Sequence, residues 1–268
     1  MIVTLLTDFG TADYFAGALK GAVLAANPRA QVIDITHEIP PHDTEAGAFT
    51  LLAAFESFPA GTVHVAVVDP GVGSARRAVA VSTPSHTFVG PDNGIFGYVY
   101  ERVPSFNVFQ LTNESYFRKE VSATFHGRDI FAPVAGALSR GVPVADFGPE
   151  ITDFVRLPFA APVREADGTL SGSIIHIDRF GNCITNIRPR DFSEDSFKRG
   201  ARIRVGEREV KCFRRFFADE PGASAEPFAI WGSAGLLELA VFRDSAARVF
   251  GARRGRRVLI SEATGARE

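Results

Sequence analysis

Val63-His64-Val65-Ala66-Val67-Val68-Asp69-Pro70-Gly71-Val72-Gly73-Ser74-Ala75-Arg76-Arg77 decides how this chain is read. A β-rich apolar run feeds into a carboxylate, a proline, two glycines two apart and paired arginines. In an α/β protein the mouth of such a buried strand is where ligands bind. The glycines let backbone come close to a ligand, and the arginines place charge beside the carboxylate.

Working outward, the flanking segments alternate in type. Ile2–Thr7 reads as a strand ending in Asp8-Phe9-Gly10, and 14–26 carries apolar residues at helical spacing until Asn27-Pro28 stops it. Residues 31–35 read as a second strand and 44–58 as a second helix, before the strand at 62–68. This βαβαβ order predicts a mainly parallel sheet with crossover helices. Further strands are expected at 78–82, 87–89 and 107–111, with a short helix to about Tyr100 and another from about Ile130 to Leu138. From Leu157 the texture changes to a proline-bearing connector and then short alternating runs between 172 and 261, few of them helical. The expected organisation is therefore an N-terminal α/β domain over 1–157, a connector over 158–170 and a smaller antiparallel, barrel-like β domain over 171–268.

Composition excludes several classes. The 268 residues are 46% hydrophobic and 22% charged, with a formal charge of −2, which gives no support for nucleic-acid binding. The two cysteines, Cys183 and Cys212, match no zinc spacing and make no disulfide framework. No apolar run is long enough to span a bilayer, and the N-terminus opens into a strand with no basic leader, so a cytoplasmic protein is expected.

Candidate functional residues gather at predicted strand ends and helix entrances. Asp8 can accept the two hydrogen bonds of a ribose diol, or cap the next helix. Asp69 can hold a substrate or a water, and Arg76 or Arg77 can hold that carboxylate. Asn93, in Gly90-Pro91-Asp92-Asn93-Gly94, is a turn or ligand residue, and His126 stands at a helix entrance beside Gly127. His37 and His42 share a loop, but no third ligand accompanies them, and no metal site is expected. Asp8-Phe9-Gly10 and His126-Gly127-Arg128-Asp129 echo kinase signatures in the wrong order, and Gly71-Val72-Gly73 lacks the third glycine of a dinucleotide fingerprint.

Five motifs occur in order: Thr7-Asp8-Phe9-Gly10, Val68-Asp69-Pro70-Gly71-Val72-Gly73, Gly90-Pro91-Asp92-Asn93-Gly94, Thr124-Phe125-His126-Gly127-Arg128-Asp129 and Ile177-Asp178-Arg179-Phe180-Gly181-Asn182. Together they resemble the S-adenosyl-L-methionine (SAM) hydroxide adenosyltransferases, the adenosine-forming SAM hydrolases related to the fluorinating and chlorinating SAM enzymes. The resemblance implies a homotrimer that binds SAM between the N-terminal domain of one subunit and the C-terminal domain of its neighbour. It implies a catalytic set of Asp69, Arg76 and His126, with Arg76 chosen because the family's arginine lies seven residues after the aspartate. Asp8 matches the ribose-binding carboxylate, and Asp178 the acid that meets the methionine ammonium. Phe180 and Asn182 would line the substrate, and Ser233 would contact the methionine carboxylate; Tyr14 and Phe15 match only weakly.

The expected reaction is in-line attack of water or hydroxide on C5′ of the ribose, with methionine as leaving group and no metal or organic cofactor. Asp69 would repel a halide, and Gly127 stands where the fluorinating relatives place a fluoride-holding serine. The alternatives are a SAM-dependent halogenase and a non-catalytic SAM- or adenosine-binding protein.

Overall fold

The computed structural model describes residues 1–218 and 226–261, so the last residues of the expected C-terminal domain lie outside the described ones. The chain divides into two compact units, Met1–Phe159 and Ala160–Glu268.

The first unit is built on a seven-stranded sheet. In chain order it contains β1 (Ile2–Thr7), α1 (Phe15–Ala26), β2 (Gln31–Thr36), α2 (Thr44–Ala54), β3 (Val63–Val67), β4 (Ala78–Ser82), β5 (Thr87–Pro91), α3 (Gly97–Arg102), β6 (Asn107–Gln110), α4 (Ala132–Leu138) and β7 (Glu150–Ile151). The strand order is β2-β1-β3-β5-β4-β6-β7. The first four are mutually parallel, and β4, β6 and β7 add antiparallel pairings on one side.

Burial on both faces explains why β3 has no polar alternation. Val63, Val65 and Val67 pack with Leu19 and Val23 of α1 and Val134 of α4, while Ala66 and Val68 pack with Leu51 of α2 and Val99 of α3. Helix α1 ends where Asn27 turns extended before Pro28. Helix α2 is capped by Asp43, whose carboxylate accepts from the Ala46 N–H at 2.9 Å. The helix expected to continue to Phe58 passes into a 3₁₀ turn at Phe55–Ser57.

The second unit contains β8 (Val163–Arg164), β9 (Leu170–Ile177), β10 (Cys183–Thr185), α5 (Glu194–Lys198), β11 (Arg202–Val205), β12 (Arg208–Val210), β13 (Cys212–Phe213), β14 (Pro227–Trp231), β15 (Leu237–Val241), α6 (Ala246–Phe250) and β16 (Arg257–Ser261). Its sheet runs β12-β11-β16-β9-β10-β15-β14-β13, with β8 beside β9. All pairings are antiparallel except β13 with β14, and β12 returns towards β14 to leave a nearly closed, barrel-like sheet. Its interior is filled by Ile174, Cys183, Ile203, Leu237, Leu239 and Val258. Val163–Arg164, inside the stretch expected as connector, pairs with Leu170–Ser171.

At the end of the first sheet away from the β3 carboxyl terminus, His64 is fully buried. Its Nδ1 lies 2.7 Å from the Thr4 Oγ1, and its ring stacks on Phe88. Burial first, then the charge of nearby His86, pushes its pKa down to about 3. The unfolded chain binds a proton at this histidine below about 6.5 and the folded chain does not, so stability falls as pH drops from there towards 3. Between about pH 7 and about pH 5 the loss from this residue is about 2 kcal/mol. Urea unfolding of the wild type and of His64→Gln at both pH values should show a pH-dependent loss that is smaller by that amount in the variant. Equal losses would assign the acid sensitivity elsewhere.

Candidate active site

The parallel register sets Thr7 of β1 opposite Val67 of β3, so the two chains leave the sheet side by side into Asp8 and Asp69. Asp69 begins a tight turn: the Val72 N–H donates to the Asp69 carbonyl at 3.2 Å, and the Ser74 N–H and hydroxyl to the Gly71 carbonyl. That turn brings Arg76 back onto the carboxylate seven residues earlier. Arg76 Nε donates to both Asp69 oxygens at 2.9 and 3.0 Å, and Nη2 closes the fork on Oδ2. Both side chains are nearly buried. The guanidinium lies 5.2 Å over the Phe131 ring, and its Nη2 reaches His126 Nδ1 at 2.9 Å.

This last contact fixes a tautomer. A guanidinium N–H only donates, so Nδ1 accepts and the proton of the neutral imidazole is on Nε2. Burial first and the Arg76 cation second lower the His126 pKa, against a partial lift from Asp69 and Asp129. His126 is therefore held neutral beside a cation.

The loop that delivers His126 is anchored from below. Asp129, fully buried, accepts from Arg128 Nε and Nη2 at 2.7 and 2.9 Å and from the Ser122 N–H at 2.9 Å. Burial alone would raise its pKa, but Arg128 and the Ser122 N–H hold it below the ordinary carboxylate value. Residues Gly127–Phe131 form a single π-helical turn ahead of α4, a local geometry that recurs at functional sites. Gly73 fixes the other side of the approach. Its φ is +77°, and a Cβ there would stand 2.2 Å from the Ala123 carbonyl oxygen. The close approach read from this glycine in the sequence is thus to the Ala123 backbone, and it brings the loop before His126 onto the turn after Asp69.

Asp69 and His126 line a cavity of about 310 Å³ bounded by Asp8, Phe9, Phe15, Pro41, His42, Val67, Asp69, Val72 and 124–127, and Arg76 lies outside that lining. Phe9, Phe15 and Phe125 form its apolar wall, with ring centroids 5.2 to 5.9 Å apart. Asp8 accepts from the His42 N–H at 2.9 Å. His42, set aside in the sequence as half of an incomplete metal pair, has φ +67° and belongs to this wall. Backbone held in the left-handed region by a non-glycine residue costs energy and is concentrated at functional sites. The sequence offers for it only the residue type, since histidine is among the non-glycine residues enriched in the left-handed region.

Asn93 stands outside the lining of this cavity. Its amide donates to the Val68 carbonyl at 2.7 Å, and its Oδ1 accepts from the Ile95 N–H, tying the 92–95 loop to the end of β3. Arg77 turns the other way, onto buried Asp92 and onto Asp153.

The remaining candidates are in the second unit, around a cavity of about 770 Å³. Asp178, Phe180, Asn182 and Ser233 all line it, with Trp231, Glu238 and Arg243. Asp178 organises the β9–β10 turn: Oδ1 accepts from the Phe180 and Asn182 N–H groups at 2.9 and 2.8 Å, and Oδ2 from the Asn182 amide at 2.9 Å. Phe180 is 77% exposed in that turn. Among the described residues, no group of three or more His, Cys, Asp or Glu is arranged to hold a metal ion.

Comparison with known proteins agrees along nearly the whole chain. Sequence models of the SAM hydroxide adenosyltransferase N-terminal and C-terminal domains match residues 3–148 and 172–259. The chain belongs to the SAM hydroxide adenosyltransferase family. It is 38% identical over 262 residues to the (R)-S-adenosyl-L-methionine hydrolase of Thermus thermophilus, covering 94% of this chain and 96% of that one. A fluorinase from Actinoplanes sp. matches at 28% identity, covering 89% of this chain and 90% of that one. The crystal structure of an uncharacterized conserved protein from Thermotoga maritima superposes with a TM-score of 0.90 at 36% identity, covering 98% of this chain and all of that one.

Replacing Gly73 by alanine tests whether the Ala123 contact assembles the site. Gly73→Ala should lower stability by about 1–3 kcal/mol in thermal or urea unfolding, because both the φ and the Cβ are disfavoured. An unchanged melting temperature would mean that the loop before His126 is held elsewhere.

Proposed function

We propose that this chain hydrolyses (R)-S-adenosyl-L-methionine to adenosine and L-methionine. The observation that supports the reading is that Asp69 and His126, joined through Arg76 behind them, line one cavity with Asp8. A carboxylate there disfavours a halide nucleophile and suits water, which it can accept a hydrogen bond from.

The chemistry follows from the state of each group. The sulfonium of the substrate makes methionine a neutral thioether leaving group. Water attacks C5′ as the C5′–S bond breaks, sulfur keeps the bonding pair, and the new C5′–O bond carries an acidic proton. A weak base suffices for that proton, because the attacking oxygen becomes positive as it bonds. Asp69 is our assignment for the base. His126 is already an acceptor from Arg76 through Nδ1 and carries its own proton on Nε2, so it serves as a donor and fixes Arg76. Asp8 holds the ribose, and Asn93 serves by fixing the strand end one residue before Asp69. Loss of the sulfonium charge in the transition state favours an apolar surrounding, and the phenylalanine wall supplies one.

On the second unit, Asp178 would meet the methionine ammonium and Ser233 its carboxylate, with Phe180 and Asn182 along the substrate. Because ribose-side and amino-acid-side candidates belong to different units, we adopt the trimer implied by the resemblance, with each substrate shared between subunits. The reading calls for no metal or organic cofactor, nucleic acid or membrane partner. No helix among the described residues is long and apolar enough to cross a membrane, and a cytoplasmic location fits the reading.

Incubation with SAM should yield adenosine and methionine in equal amounts, with the R sulfonium epimer consumed. Persistence of both epimers, or adenosine absent from the products, would overturn the hydrolase reading. Asp69→Asn should lower kcat by about 10²-fold or more while SAM still binds. The depressed His126 pKa means that its neutral form survives acidification, so kcat should hold its plateau through about pH 6.5 and fall only below it. A half-loss of kcat at or above that value would contradict the assigned tautomer. Light scattering should give the mass of a trimer, and a monomer that turns over SAM would remove the shared site.

A further inference from the structure

We infer that His37 is a positioning residue for Asp8: set between Asp34 and Thr7, it fixes the turn that presents the Asp8 carboxylate to the cavity. The inference rests on the SAM-hydrolase reading for the ribose that Asp8 meets.

A register shift puts His37 where it can act. β2 pairs with β1 from Ile2 opposite Gln31 to Leu5 opposite Asp34, but Leu6 then faces Thr36, so Ile35 is an extra residue. Such an insertion bends its strand and re-aims the side chains beside it. The next residue, His37, meets Thr7 at the end of β1, and both are buried.

The polar atoms of the pair can be assigned in turn. His37 Nδ1 lies 2.8 Å from Thr7 Oγ1, and Nε2 lies 3.1 Å from Asp34 Oδ1. Burial would raise the Asp34 pKa, but Lys20 and His37 hold it below the ordinary carboxylate value. Asp34 is therefore an anion, which places an imidazole proton on Nε2. In the neutral ring Nδ1 is then an acceptor, and the Thr7 hydroxyl donates to it. With its proton committed, Thr7 Oγ1 turns a lone pair to the Phe9 N–H, which donates to it at 3.2 Å. The Nε2 contact has an ion-pair distance without hydrogen-bond alignment, so a buried donor is poorly satisfied. Such a group in a fold's interior calls for a role beyond packing.

Acid, imidazole and hydroxyl in series resemble a nucleophile relay, but Thr7 is fully buried and meets no ligand. What the series reaches is backbone. The Thr7 carbonyl accepts from the Ile39 N–H at 3.3 Å, and the His37 carbonyl from the Gly10 N–H at 2.7 Å. Asp8 and Phe9 are thus carried between two strapped residues, Thr7 and Gly10. The same loop brings the His42 N–H to Asp8 Oδ2 at 2.9 Å. Releasing Thr7 frees the backbone that carries the Asp8 carboxylate, and a small misplacement of a binding group is costly.

Two nucleosides without a sulfonium test this by calorimetry, free of turnover. Adenosine carries the diol that Asp8 would meet, and 2′,3′-dideoxyadenosine does not. The wild type should prefer adenosine by about tenfold or more. His37→Leu should weaken adenosine about tenfold and leave 2′,3′-dideoxyadenosine within about twofold. His37→Asn, whose side-chain oxygen can replace Nδ1 as acceptor, should bind adenosine within about threefold of the wild type. Thr7→Val, which deletes the hydroxyl, should reproduce the His37→Leu loss and carries the test if that variant fails to fold. In an Asp8→Ala background, His37→Leu should change adenosine affinity by less than about twofold, because the group it positions is gone.

Equal weakening of both nucleosides, no recovery in His37→Asn, or full additivity with Asp8→Ala would make His37 a structural residue and overturn the proposal. A wild type indifferent to the diol would remove Asp8 as the ribose carboxylate, and the inference with it. Absence of adenosine from SAM would instead overturn the hydrolase reading, and it is read from a different assay on the unmutated chain.

Discussion

The Arg76 guanidinium is the constraint on which the first unit's site depends. It is nearly buried, forked onto Asp69 and hydrogen-bonded to His126 from the same side chain. A buried cation without these partners would be expensive, and neither partner alone could satisfy its donors. The bond to Asp69 fixes the turn after β3. The bond to His126 selects the imidazole tautomer, and burial first and the Arg76 cation second keep that ring neutral. Two segments far apart in the chain are thereby locked to one planar group, with Gly73 and Asp129 holding the two loops close enough for it to reach.

The two cavities, each within its own unit, differ in character. The smaller, on the first unit, is walled by phenylalanines around a neutralised carboxylate. The larger, on the second, is lined by Asp178, Glu238 and Asp244 together with Arg243.

Much of this was legible in the sequence because the long elements obey simple periodicities. The buried run of β3 and the α1 spacing ending at Asn27-Pro28 lie where the residues predict, and Asp69 meets Arg76, the arginine that the resemblance implied where the residues alone left Arg76 and Arg77 open. What escaped reading was set by tertiary contact. β7 and β8 are two residues each, and α5 and α6 only five, too short for a period to show. Gly73 looked like a ligand contact because sequence cannot say whose backbone approaches it. His42 gained its place from the loop conformation that puts its N–H on Asp8.

Oxygen labelling tests the central claim, that water attacks C5′ within the Asp69–Arg76–His126 site. SAM turned over in ¹⁸O-water should give adenosine carrying the label on its 5′ oxygen and methionine carrying none. Adenosine without ¹⁸O, or a 5′-halogenated nucleoside in its place when chloride or fluoride is present, would contradict it.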